Sequence, residues 1–316
     1  MKRAIAVGSS LFGVGAFAYT LHVIGLTTVR QALGRVGWGF AAILLIAGLR
    51  ELAKAAAWTQ TLADPHRLPL FDAFRARLAG EALTSLVPMG FLIGEPTKAQ
   101  HVGDRVPFAA AFNALVLEYA FYGLSLVVLA GIALVVAAPW RVTLAAVAVG
   151  VILLPALKPM RRAAEPFRRF AVQEPMRSSK VAGLQAIYHA LGIAETYIAL
   201  SWLNPAGTTW AAAAAFELLN RGVTIAFKMV PMRVGVDEAS AGLMATHLAI
   251  GTATGVMLAL VRKLRVLFWT AVGLAVIALR TFRRWAPARS RCAAAFEEIA
   301  ENRTVLTAHS LPSLRP

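Results

Sequence analysis

Two short stretches of an otherwise apolar chain carry residue types that could do chemistry. Residues 87–95 read Val87-Pro88-Met89-Gly90-Phe91-Leu92-Ile93-Gly94-Glu95, and residues 230–238 read Val230-Pro231-Met232-Arg233-Val234-Gly235-Val236-Asp237-Glu238. Each runs from Val-Pro-Met through a glycine to a glutamate seven residues after the proline. Proline removes a helical hydrogen bond and glycine opens backbone conformations closed to other residues, so a helix is expected to break at each. A new helix starting near Glu95 or Glu238 would turn its partly positive N-terminus toward the break, where an anionic group is stabilised. The plain alternative for either stretch alone is a kink with a capping glutamate. Two matching stretches in opposite halves favour a site, because transport folds built from repeats place their broken helices there.

Other ionisable residues extend this constellation. Glu81 and Lys98 flank the first break. Glu118, Glu195, Glu217 and Arg221 fall inside apolar runs, where a charge at a helix centre costs about 2.5–3.5 kcal/mol on insertion scales and calls for a partner or an aqueous cavity. Glu217 and Arg221 stand four apart and can pair with each other. Glu118 and Glu195 have no sequence-local partner and are read toward a cavity. Arg50 and Lys54, also four apart, read first as snorkelling anchors at headgroup level and second as contacts to a lipid phosphate. His22, His101, His189 and His247 show no metal-ligand spacing, and Cys292, the single cysteine, excludes an intrachain disulfide. No nucleotide-binding loop or nucleophile elbow is present, so neither a cofactor nor a metal is expected.

The elements that must position these residues follow from composition. The chain is 58% hydrophobic and 15% charged with a mean hydropathy of +0.64, and a bilayer core needs about 20 apolar residues per helix. Apolar runs occupy 4–26, 38–58, 106–138, 142–157, 181–203, 207–227, 239–261 and 266–279. An amphipathic helix is expected near 71–78, with Phe71, Phe74 and Leu78 opposite Asp72, Arg75 and Arg77. The prediction is an all-α polytopic membrane protein of about seven or eight transmembrane helices, with one or two re-entrant or broken helices in an internal repeat. A membrane domain over 1–282 is followed by a basic, partly disordered tail over 283–316.

Charge sets the expected orientation. Between 158 and 180 there are seven basic residues against two acidic ones, and Lys2 and Arg3 precede the first run, so both regions are expected in the cytoplasm. The first run is longer than a signal-peptide core and lacks a small-x-small cleavage site, which reads as a retained helix. Five apolar blocks separate the two cytoplasmic regions, so one must enter and leave on the same side, and the stretch around Pro88 is the candidate. If all four blocks after the loop span, Arg262, Lys263 and Arg265 fall outside and the tail from Arg280 inside; a second re-entrant segment would move that cluster inside and send the tail out. The net charge of +16 fits this bias and anionic lipid headgroups rather than nucleic acid.

The helix end at 50–58, the stretch 80–98 with its Pro-then-Gly-Glu ending, and the stretch 231–238 followed by a glycine-rich span resemble the membrane region of the lysylphosphatidylglycerol synthase family. These flippase-like proteins include stand-alone members lacking the aminoacyl-transfer domain. The resemblance implies a multi-pass protein of the bacterial inner membrane that moves or handles a lipid such as lysylphosphatidylglycerol, a hopanoid or a glycan-linked precursor. It departs from the family pattern at Thr84, where asparagine is common, at Lys98, where arginine is common, and at Arg233 and Val234, where a double glycine is usual. Aminoacyl transfer in that family belongs to a separate soluble domain, for which the 37 residues after Leu279 leave no room. On this reading Lys98, Arg221 and Arg233 contact an anionic headgroup, and Glu95 and Glu238 start helices or gate the path. Two competing readings are a membrane enzyme acting on lipid or polyprenyl phosphate through Glu81 and Glu95, and an accessory subunit docking lipid-synthesis enzymes through its basic loop and tail.

Overall fold

The computed structural model describes Arg30 and residues 34–87, 89–137, 165–227, 230–233 and 235–308. The runs expected at 4–26 and 142–157, and Pro88 itself, lie outside the described residues. All regular structure among the described residues is helical: α1 (Gly39–Thr61), α2 (Leu70–Leu86), α3 (Phe91–His101), α4 (Phe108–Ala137), α5 (Glu165–Gln173), α6 (Pro175–Leu203), α7 (Trp210–Ala226), α8 (Val236–His247) and α9 (Thr252–Ala308). Short 3-10 turns occur at Pro205–Gly207 and Pro231–Arg233. Among these, α4 over Phe108–Ile132 and α9 over Thr252–Phe282 are long and apolar enough to cross a membrane.

Each Val-Pro-Met stretch is the tip of a helical hairpin. In the first, α2 stops at Leu86 and α3 begins at Phe91; in the second, α7 stops at Ala226 and α8 begins at Val236. The methionine after each proline adopts the same left-handed backbone, with φ of 52° at Met89 and 49° at Met232. Arg233 and Gly235 continue the second tip at φ of 44° and 84°, a conformation in which glycine avoids the steric penalty of a side chain.

The two hairpins enter from opposite ends of the bundle. Asp72 in the first turn of α2 pairs at 2.8 Å with Arg105 beyond α3, so this hairpin starts and finishes together. At the same end Arg177 of α6 donates to the Gln60 carbonyl of α1 at 3.0 Å, and Arg280 of α9 bonds the His101 carbonyl and Asp104. At the other end the start of α1 meets the end of α6, where a Cβ on Gly39 would lie 2.5 Å from Trp202 Nε1. There the Asn204 side chain donates to the Ile250 carbonyl at 3.1 Å, joining the start of the second hairpin to its finish. The order helix, hairpin, helix thus occurs twice in reversed direction, as α1, α2–α3, α4 and as α6, α7–α8, α9.

Packing depends on small residues that let backbones approach. A Cβ on Gly94 would lie 2.0 Å from Thr84 Oγ1 and 2.5 Å from the Gly80 carbonyl, which draws α3 onto α2. Likewise a Cβ on Gly255 would lie 2.1 Å from the Ala241 carbonyl, and one on Gly273 would lie 2.2 Å from the Leu78 carbonyl. Apolar clusters around Trp58, Leu62, Ala99 and Leu115 and around Ile43, Leu200, Phe216 and Leu258 fill the two ends.

Four expectations are corrected. The helix carrying Arg50 and Lys54 continues to Thr61, and both side chains are buried rather than at headgroup level. Arg77, assigned to the polar face of α2, is 0% exposed, whereas Phe71 on the expected apolar face is 59% exposed. Carboxylates in the bundle draw the arginine inward. The run 239–261 is interrupted at 248–251, where Ala249 and Gly251 have positive φ. Arg262, Lys263 and Arg265 lie inside the continuous α9, not in a loop, because carboxylates from α6, α7 and α8 pair with them.

Candidate functional site

Between the hairpin tips lies a cavity of about 480 Å³, within the size range of small-ligand pockets. Thr84, Ser85 and Glu95 line it from the first hairpin, and Val230, Met232, Arg233 and Asp237 from the second. Eight cationic side chains reach it, against four carboxylates. Trp269 also borders a separate apolar groove with Leu45, Leu49, Phe71 and Phe74, so polar cavity and apolar groove adjoin.

Around the first tip the charges form one network. Lys98, fully buried, donates to Glu81 at 2.7 Å, Glu95 at 2.8 Å and the Tyr119 hydroxyl at 3.1 Å, and Tyr119 donates to Glu95 at 2.6 Å. Arg77 lies 3.4 Å from Glu51, 3.6 Å from Glu81 and 3.6 Å from Glu118. Glu118 also accepts from Gln185 at 2.6 Å and has Lys54 at 3.8 Å. The Lys54 ammonium sits over the rings of Tyr119, Tyr122 and Tyr188 at 4.8, 4.4 and 5.3 Å, which stabilises a buried cation. Three cations here face four carboxylates.

The wall made by α1, α6, α7 and α9 has the opposite balance. Arg50 bonds Glu195 at 2.6 Å and Glu217 at 3.0 Å. Arg221 donates to Glu217 at 3.0 Å and to the Tyr188 hydroxyl at 2.7 Å. Arg262 donates to Thr196 at 2.8 Å and lies 3.5 Å from Glu217, and Arg265 pairs with Glu195. At the second tip Arg233 pairs with Asp237 at 2.9 Å, and Glu238 accepts from the Gly235 amide at 2.8 Å while pairing with Lys263.

Of the residues singled out in the sequence, Arg50, Lys54, Glu81, Glu95, Arg221, Arg233 and Asp237 line the cavity. Lys98, Glu118, Glu195, Glu217 and Glu238 stand behind them as ionic partners. Gly90 and Gly94 serve the hairpin, where added Cβ atoms would meet Thr84, and Pro231 opens the second tip. Glu238 starts its helix as expected, whereas Glu95 lies in the second turn of α3, which begins at Phe91. Sequence reading missed Arg77, Arg262, Lys263 and Arg265, and the tyrosines 119, 122 and 188. The surplus of unpaired carboxylates at Glu118 and Glu195 was the available signal that cations must come to them.

Two features bear on chemistry. The Lys98 ammonium lies between Glu81 and Glu95, where a metal bridging those carboxylates would have to sit. Among the described residues, no group of three or more His, Cys, Asp or Glu could hold a metal ion.

No curated protein and no solved structure matches the chain. A family model described as Lysylphosphatidylglycerol synthase TM region matches residues 4–273, which include both hairpins and every cavity-lining residue. The chain therefore belongs to the lysylphosphatidylglycerol synthase transmembrane-region family, a membrane protein family.

Proposed function

We propose that this protein moves an anionic lipid between the leaflets of a bacterial inner membrane, the headgroup passing through the cavity between the two hairpin tips. The observation that carries the proposal is the cationic cavity between two hairpins of reversed direction. Charged side chains are retained within an apolar bundle where they line a wet path, and opposed broken helices meeting at mid-depth are the architecture of alternating access. The apolar groove sharing Trp269 offers acyl chains a place beside the headgroup.

On this reading both hairpins are re-entrant. An 11-residue α3 and a 12-residue α8 rise only about 16–18 Å, short of a bilayer core of roughly 30 Å. The N-terminus and the 158–180 loop face the cytoplasm, and so does the base of the first hairpin, which Arg177 and Arg280 link to the same end. Membrane lipids are the partners this reading requires. An enzyme using Glu81 and Glu95 is disfavoured because the Lys98 ammonium sits between the two carboxylates and bonds both.

The test is transfer of a fluorescent phosphatidylglycerol in vesicles containing only this protein, read by dithionite quenching from outside. The expected result is quenching beyond the outer-leaflet fraction, at a rate proportional to protein content. Quenching that stops at the outer-leaflet fraction would leave an accessory role in lipid synthesis as the better reading.

A further inference from the structure

The cavity charges are compensated unevenly. At the second tip cations and carboxylates pair one to one, and at the first tip carboxylates are in excess. On the remaining wall Arg50, Arg221, Arg262 and Arg265 share, among the described residues, only Glu195 and Glu217. Among the described residues, four guanidiniums against two carboxylates give this wall a surplus of two positive charges, which the one carboxylate in excess at the first tip offsets only in part. Arg262 and Arg265 lie well inside the apolar stretch of α9, where uncompensated charge is expensive.

Donors are also left over on this wall. Among the described residues, Arg50 Nε is buried with no acceptor. Among the described residues Arg262 donates only through NH2 and Arg265 only through NH1, although both line the cavity. They stand three apart on α9 and so share a face. Free guanidinium edges match the oxygens of a phosphate, which they bind in a forked, charge-assisted geometry. Lys98, by contrast, directs its ammonium to Glu81, Glu95 and the Tyr119 hydroxyl.

We propose that Arg262 and Arg265, backed by Arg50 and Arg221, form a subsite for the phosphate of a lipid headgroup. The lipid as the source of that phosphate rests on the function proposed above; the subsite itself rests on the charge surplus and the free donors. Because the wall carries excess positive charge, removing Arg262 or Arg265 relieves repulsion while the three remaining arginines still balance Glu195 and Glu217. A residue serving only as a structural ion pair would behave in the opposite way.

The experiment is calorimetric titration of the full-length protein in uncharged detergent with dihexanoylphosphatidylglycerol, inorganic phosphate and dihexanoylglycerol. The short-chain phospholipid is expected to bind more tightly than inorganic phosphate, and the phosphate-free lipid not to bind. Arg262→Gln and Arg265→Gln should each weaken phospholipid binding by about tenfold or more, with the ligand-free melting temperature unchanged or raised. Arg30→Gln, on an exposed residue outside the cavity lining, should change binding by less than about threefold. Equal affinity for inorganic phosphate would support the subsite but assign it to a free anion. Absence of binding by either phosphate-bearing probe would overturn the subsite, as would wild-type affinity in both α9 variants or a lower melting temperature with unchanged affinity. Binding that follows the expected pattern without leaflet transfer in vesicles would remove the translocation reading and leave the subsite standing.

Discussion

The two hairpin tips share a backbone but not an electrostatic role. Both turn at the methionine of a Val-Pro-Met step with nearly equal φ, 52° and 49°. Beyond that turn they diverge. Glu95 faces the cavity and shares Lys98 with Glu81, whereas Glu238 bonds the Gly235 amide as a helix cap and neutralises Lys263. The repeat therefore preserves a way of breaking a helix, while the chemistry placed at each break is separate. Equivalent sequence positions do not imply equivalent function.

The largest expected effect is all-or-none and tests whether the tips approach from opposite sides. Ser179→Cys, on the end holding the first hairpin's base, should be shielded from an impermeant thiol reagent applied outside intact cells. Thr208→Cys, before the second hairpin, should be labelled. Both controls need Cys292→Ser. Labelling of both cysteines, or of neither, would break the reversed-repeat reading.

Stability comes next. Gly94→Ala would press a methyl group into the Thr84 side chain and the Gly80 carbonyl, costing about 2–3 kcal/mol. Gly235→Ala meets no atom within 4 Å and loses only the freedom to sit at φ 84°, about 1 kcal/mol. Thermal unfolding in detergent should rank them in that order. The reverse ranking would mean that the second tip, not the first, depends on close backbone approach.

The carboxylates should separate function from stability. Glu238→Gln removes the charge that pairs with Lys263, whose side chain is 2% exposed, and should cost about 2 kcal/mol. Glu95→Gln leaves Lys98 bonded to Glu81 and Tyr119, so the protein should accumulate normally. Lipid transfer should fall several-fold in both variants, through lost protein in the first and an altered cavity in the second. Normalising transfer to folded protein distinguishes them: Glu238→Gln should recover most of its deficit and Glu95→Gln none. Arg30→Gln, on an exposed residue, should change neither quantity measurably and sets the baseline.

Much of this architecture was legible because local rules govern it. Pro, Gly and the seven-residue spacing marked both breaks, and the pairing of Glu217 with Arg221 follows from a helical turn. What stayed hidden depends on partners distant in sequence. Arg50 and Lys54 look like a helix end in one dimension, since mid-helix cations are rare unless a carboxylate from another helix meets them. Arg262, Lys263 and Arg265 divided an apolar run and so resembled a loop, although Glu217, Glu238 and Glu195 keep them inside one helix. Tyr119, Tyr122 and Tyr188 gave no signal, because an aromatic residue in an apolar helix looks the same whether it faces a neighbour or a lysine. The interruption at 248–251 was missed because Gly251 looks like one more glycine of an apolar span and Ala249, which also adopts a positive φ, carries no compositional mark.

The central claim is that lipid passes between the two tips, and locking them together tests it most directly. Ser85 and Met232 both line the cavity, from the first hairpin and the second tip. Ser85→Cys and Met232→Cys in a Cys292→Ser background can be joined by a flexible, disulfide-containing bismaleimide and freed by a reductant. The account predicts that cross-linked protein in vesicles loses leaflet transfer of fluorescent phosphatidylglycerol and regains it on cleavage of the linker. Transfer at the same rate with the tips joined and freed would contradict it.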